Sequence, residues 1–246
     1  MRRKKNKKKL TLIRNIIFLI LICTLVYSGS KIFKWYKENK NSNKIVEEIN
    51  KAVVEKENEE EQYKVDFNML KEQNDETVAW LKVNGTNIEY PVVKTTDNSF
   101  YLTHSFDKSN NSAGWIFADC RNKIDGTDKN MVIYGHNRRD GSMFGSLKNV
   151  LDANWYENEE NRNIIFCTAE GESVYKVFAI YQIEAEEYYI TTDFQDDAQF
   201  EEFVTNIKKR SVKDFGEDVS KKDTILTLST CANNNKYRVV VHAKKI

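Results

Sequence analysis

Residues 80–93 read WLKVNGTNIEYPVV. Asn84-Gly85 stands between two runs rich in β-branched and aromatic residues. Asn-Gly closes tight hairpins because both residues accept positive φ at little cost. The stretch therefore predicts a β-hairpin, closed off by Pro91, the only Pro in the chain. Outward from it the same signal recurs. Short β runs cover 114–117, 131–134, 164–168, 174–183, 224–230 and 237–243, with turns such as Asp125-Gly126 and Glu170-Gly171 between them. Two amphipathic stretches interrupt, at 142–151 and at 198–211 (AQFEEFVTNIKKRS). Many short strands with few helices predict a mainly β barrel or sandwich. No internal repeat is present.

The 246 residues carry 38 Lys and Arg against 37 Asp and Glu. That balance hides an asymmetry. Twelve of the basic residues and only Glu38 of the acids fall in residues 1–40, which leaves +11 there and −10 in the remainder. An acidic body repels phosphates, so nucleic acid is excluded as the partner. Residues 2–9 read RRKKNKKK, and the stretch 15–30 is uncharged and mostly apolar. Sixteen residues are short of the roughly 20 that span a bilayer. Snorkelling of Arg14 and Lys31 extends the usable span to about 10–33. The expected organisation is a basic cytoplasmic tail (1–9), a transmembrane signal-anchor (10–33), a charged helical stalk (34–66) and a catalytic domain (67–246). Positive charge stays cytoplasmic, which places the body on the extracellular face of the membrane. A cleaved signal peptide is the alternative, although Ser-Gly-Ser makes a poor exit site.

Cys23 lies in the membrane stretch, leaving Cys120, Cys167 and Cys231 outside. No pair has C-x-x-C spacing, so a zinc site is unsupported. Cys120 and Cys167 read as small buried apolar residues. Cys231 differs, because it ends the run DTILTLSTC and the next run opens with Arg238. If the two runs form a hairpin, Cys231 and Arg238 face each other across its mouth. A guanidinium there lowers the cost of a thiolate and donates to an oxyanion. A nucleophilic Cys also needs a base or imidazolium neighbour. The chain holds three His, at 104, 136 and 242. His136 ends an apolar run where it gives way to a polar loop, which makes it the best partner; His242 is second. No acid lies between Cys231 and Arg238, so no local Cys-His-Asp order exists, and a distant carboxylate remains open as the group that orients His136.

Thr227-Leu-Ser-Thr-Cys231, Arg238 seven positions later, and Tyr134-Gly-His136 upstream resemble the sortases, membrane-anchored cysteine transpeptidases of Gram-positive bacteria. The resemblance runs from about Phe67 to the C-terminus. DNSFYLTHSF (97–106), YGHNRRDGSMFGSL (134–147), YYITTDF (188–194) and the helix at 198–211 are similar to the class B branch. The resemblance implies an eight-stranded β-barrel with an N-terminal helical extension and a helix in the loop before the Cys-bearing strand. It implies that Cys231 attacks a Thr carbonyl in a C-terminal sorting signal of a surface protein. His136 moves the proton and Arg238 holds the substrate and oxyanion. The acyl group then passes to an amine of the peptidoglycan precursor or cross-bridge. Substrate contacts carried over are Asn98, Leu102, Tyr189, Ile190, Ser229 and Thr230. Some class B members have an acid two residues after the Cys, where this chain has Asn233. No metal and no cofactor is expected. Two other readings stay open: an exported cysteine peptidase that only hydrolyses, and an anchored, non-catalytic binding module.

Overall fold

The structure, a computed structural model, describes residues 2–54, 63–232 and 236–246; of residues 2–8, Val54, Cys231 and Ala232 it describes the backbone alone. Asn233 lies outside the described residues. The chain forms two compact units, Met1–Asn43 and Lys44–Ile246.

Helix α1 spans Arg2–Ile49. Its apolar part has a mean hydropathy of 2.2 over its best window and is not buried, which makes it long and apolar enough to cross a membrane. In the second unit, Ile45, Ile49 and Ala52 are buried together with Tyr63 and Leu70. Residues 44–54 and 63–66, within the charged stretch, thus share the core of that unit. Helix α2 (Phe67–Gln73) follows, and Asp66 caps it by accepting the N–H groups of Asn68 and Met69 at 3.0 Å each. Its carboxylate satisfies two donors that a helix start otherwise leaves unpaired.

Eight strands follow: β1 (Thr77–Val83), β2 (Ile88–Val93), β3 (Phe117–Ala118), β4 (Asn130–Tyr134), β5 (Asn163–Thr168), β6 (Gly171–Glu184), β7 (Ile225–Ala232) and β8 (Tyr237–Lys245). They close into a barrel in the order β8-β6-β5-β1-β2-β3-β4-β7. The β2–β3 and β4–β7 pairs are parallel and the rest antiparallel. Closure leaves no long edge for another chain to extend.

Alternation sorts the side chains. Leu226, Leu228, Val239, Val241 and Ala243 join the main core, whereas Ile225 and Val240, one residue out of phase, join a second cluster. A one-turn helix α3 (Ala153–Tyr156) precedes β5, and the second cluster lies under α4 (Asp197–Arg210), which sits in the β6–β7 connection. Phe200, Phe203, Val204 and Ile207 are its buried stripe, spaced i, i+3, i+4, i+7 as an amphipathic helix requires. Asp196 caps its start, and Lys208, Lys209 and Arg210 complement the dipole at its end.

The barrel, the hairpin turn at Gly85 (φ +68°) and the helix near 198–211 agree with the sequence. Four local expectations need correction. Pro91 lies inside β2 and does not close it; its carbonyl accepts the Trp115 indole N–H at 2.9 Å. The run at 114–117 is a strand only from Phe117, because Gly114 takes φ +59° and the Trp115 N–H goes to the Tyr101 carbonyl. The stretch 142–151 is helical only as a 3-10 turn over Leu147–Leu151. Met143 at φ +52° and the Gly145 contact with the Arg138 carbonyl stop a helix earlier. Cys167 is buried as expected, but Cys120 is half-exposed in the loop after β3.

Candidate active site

The β7–β8 hairpin sets the site. Its register pairs Cys231 with Arg238, Ser229 with Val240 and Thr227 with His242. Parallel pairing of β4 with β7 puts Tyr134 beside Ser229, and the Gly135 N–H reaches the Ser229 carbonyl at 3.3 Å. His136 therefore leaves β4 at the end of the barrel where Cys231 leaves β7.

His136 is seated by backbone. Its Nε2 lies 2.7 Å from the Leu102 carbonyl. A carbonyl only accepts, so Nε2 carries a proton and Nδ1 is the nitrogen left to titrate. Among the described residues the Leu102 carbonyl, and no carboxylate, orients this ring. Gly114 makes that seat possible. A Cβ there would stand 2.5 Å from the Tyr101 carbonyl oxygen and 2.8 Å from His136 Cδ2. Gly135 is similarly confined, with Ile116 and Phe144 within 3 Å of where its Cβ would be.

One groove of about 610 Å³ gathers His136, Arg238, Asn98, Leu102, Tyr189, Ile190, Ser229 and Thr230. Those are all the site residues read from the sequence except Cys231, whose backbone lies at its edge in the same hairpin. Asn98 Oδ1 accepts the Cys120 N–H at 2.8 Å. The hydroxyls of Tyr189 and Ser229 are 3.0 Å apart. The Thr230 hydroxyl is buried and has no hydrogen-bond partner among the described residues. Glu186 and Glu187 add acidic residues to the rim that the sequence reading did not single out, and Glu186 pairs with Arg210. Among the described residues, no group of three or more His, Cys, Asp or Glu is placed to hold a metal.

His242 is not part of the groove. It is fully buried beneath α4, in contact with the rings of Phe178, Tyr181 and Phe203. A directed chain holds it. Asn130 Nδ2 donates to the Thr191 carbonyl (2.8 Å), so Asn130 Oδ1 accepts from the Thr227 hydroxyl (2.6 Å). Thr227 Oγ1 must then accept from His242 Nδ1 (2.8 Å), and His242 Nε2 accepts from the Tyr181 hydroxyl (2.8 Å). The ring is neutral in one tautomer. Its pKa is pushed down to about 3, first by burial and then by the Arg210 charge. The unfolded chain, with an ordinary value of 6.5, binds a proton that the folded chain refuses. Stability therefore rises with pH in this window and is lost as pH falls from about 6.5 towards 3. Depressed carboxylates such as Asp119 and Asp140 act only near and below about pH 4. Between pH 6.5 and 5, calorimetry should show the melting temperature falling, and His242→Gln should flatten that slope. A slope unchanged in the variant would assign it elsewhere.

A closed barrel whose last hairpin sets a Cys opposite an Arg, beside a His held at a groove, is the architecture of the barrel cysteine transpeptidases. The family model described as the Sortase domain matches residues 81–246. Sortase B of Listeria monocytogenes is 35% identical over 237 residues, covering 93% of this chain and 94% of that protein. Sortase B of Staphylococcus aureus is 32% identical over 235 residues, covering 94% and 96%. A Bacillus anthracis structure described as similar to sortase B superposes with a TM-score of 0.74 at 34% identity, covering 86% of this chain and 97% of that one. A Staphylococcus aureus sortase B–substrate complex does so at 0.69 and 34%, covering 74% and 84%. The chain belongs to the sortase family, on its class B branch, and is a cysteine transpeptidase.

Proposed function

We propose that this enzyme sits in the cell membrane by residues 10–33, with residues 1–9 cytoplasmic, and joins surface proteins to peptidoglycan on the extracellular face. The charged segment 34–66 then links the anchor to the catalytic domain, 67–246. Support for the anchor is the unburied apolar helix behind a strongly basic tail.

The Cys231–Arg238 register at the end of a groove that holds His136 carries the chemical reading. The Cys231 thiolate attacks the carbonyl of the Thr in a C-terminal sorting signal. The C–N bond breaks as protonated His136 gives its Nδ1 proton to the leaving amine, which leaves a thioester. An amine of the peptidoglycan precursor or cross-bridge then attacks the thioester. His136 takes the proton back, and the amide product releases Cys231. Two easier steps replace one difficult step. Arg238 binds the peptide and donates to the tetrahedral oxyanion in both steps. Asn98, Leu102, Tyr189, Ile190, Ser229 and Thr230 form the peptide-binding surface.

The test uses the full-length protein in detergent micelles with a library of fluorogenic sorting peptides, with and without an amine acceptor, read by mass spectrometry. The expected result is a Thr-acyl product that becomes an amide when amine is added. Cleavage that ignores the amine would make the enzyme a hydrolase on these peptides, and no turnover of any peptide would count against the sorting role.

Arg238→Lys should lower kcat/KM about 10²- to 10³-fold, the weight of one oxyanion donor, because an ammonium lacks the planar fork. Fluorogenic turnover measures it. Wild-type-like turnover would remove Arg238 from oxyanion binding.

A further inference from the structure

The loop after β3, Asp119-Cys120-Arg121-Asn122, is used by none of the roles above, yet its first three residues each bond a residue that lines the groove. Cys120 donates its N–H to Asn98 Oδ1 at 2.8 Å, on one wall. Arg121 grips Asp119 with two bonds, Nε to Oδ1 at 2.8 Å and Nη2 to Oδ2 at 2.7 Å. The same Nη2 donates to the carbonyl of Ile190, another lining residue, at 2.9 Å. Asp119 also accepts the Tyr134 hydroxyl at 2.7 Å, at the floor. Asn122 pins the loop to β4, its Nδ2 donating to the Asn130 carbonyl at 2.8 Å and its Oδ1 accepting the Val132 N–H at 2.9 Å.

We propose that the Asp119–Arg121 pair is a positioning clamp that holds the Tyr188–Ile190 turn by its Ile190 carbonyl and so sets the width of the peptide groove. The inference rests on reading that groove as the peptide site.

An ion pair on a protein surface usually contributes little. This one differs, because the Asp119 side chain is 0% exposed and the fork is bidentate. Burial alone would raise the Asp119 pKa, but bonds from Arg121 and Tyr134 outweigh it and hold the carboxylate charged. A fixed carboxylate fixes the guanidinium plane, and that plane aims Nη2 at Ile190. The turn is otherwise held at Thr191 by Asn130, at Tyr189 by Ser229, and at Tyr188 by Asn206 and the Arg210 and Phe203 side chains of the β6–β7 helix. Loss of Arg121 therefore loosens the Ile190 corner alone and leaves His136 and the β7–β8 hairpin as they are.

In Arg121→Gln the buried Asp119 keeps the Tyr134 hydroxyl and the residue-121 N–H as donors, and the melting temperature, measured alongside, separates a loosened groove from a loosened fold. In the full-length protein, assayed on a peptide from the library above, the variant should raise KM about tenfold, the weight of one charge-assisted hydrogen bond, with kcat within about twofold. Arg121→Lys should recover part of that loss. Hydrogen exchange of the amides at 190–193 should quicken in Arg121→Gln. Lys213→Gln, which removes an exposed ion pair to Glu157, serves as the control and should change none of these. An unchanged KM, a fall in kcat at fixed KM, or unchanged exchange at 190–193 would each overturn the clamp. Exchange needs no substrate, so if the wild-type enzyme processed no peptide, faster exchange would still support the clamp while the sorting reading failed.

Discussion

Cys231→Ala should leave a folded protein with no measurable transpeptidation, a loss of about 10⁵- to 10⁶-fold, as when a catalytic nucleophile is deleted. Nothing near it can substitute. Cys167 is buried in the barrel, and Cys120 sits in the loop after β3, committed by its backbone to Asn98. Ser229, two residues earlier, has its hydroxyl hydrogen-bonded to that of Tyr189 and not to an imidazole among the described residues. The fold should survive, because β7 is held by ladders to β4 and β8. The melting temperature should stay within about 4 °C of the parent, a change of roughly 1 kcal/mol for a chain of this size. Mass spectrometry reads the result twice. The wild type should carry a peptidyl adduct on Cys231 when amine is withheld, and the variant none. Turnover by Cys231→Ala at even a hundredth of the parental rate would require a different nucleophile and a different mechanism.

The residues proposed to carry chemistry were legible because their placement is local. Cys231 and Arg238 belong to one hairpin, whose pairing follows from two β runs and a short connection. His136 ends a β run, and strand ends meet clefts. Alternation also put His242 on the Arg238 face. What it left out was the cover: 198–211 reads as an amphipathic helix, but nothing in its own residues says that it docks over His242. That docking separates a buried structural imidazole from a groove imidazole. The long-range contacts were equally silent. Arg121 and Ile190 are 69 positions apart, and Gly114 matters only because it lies against the His136 ring. One local signal was passed over. Ile45, Val46 and Ile49 fall on one face of the end of α1 among many charges, and the run of Glu and Lys around them reads as a solvated stalk. Period outweighs composition there, because a narrow apolar stripe is enough to dock a helix.

His136→Ala should be the second near-dead variant, with kcat/KM lower by about 10³- to 10⁴-fold, the upper range for one acid–base group. The argument starts from the Leu102 carbonyl. Because it takes the Nε2 proton, the ring has one titrating nitrogen, Nδ1. Departure of the amine needs a proton from that nitrogen, and the thiolate must be present at the same time. Raising pH makes thiolate but removes imidazolium. The wild-type kcat/KM should therefore be bell-shaped in pH, with two apparent values that belong to the coupled pair. In His136→Ala the limb that falls at high pH should vanish. The residual rate should climb with pH until the thiol is fully ionised. The other imidazoles have no route to rescue it: His242 is locked under α4, and His104 is stacked on Phe100 with its Nδ1 on the Phe100 carbonyl. A His136→Ala enzyme that kept the bell at reduced height would assign the high-pH limb to another group. One that kept the parental rate would move the proton-transfer role off this residue altogether.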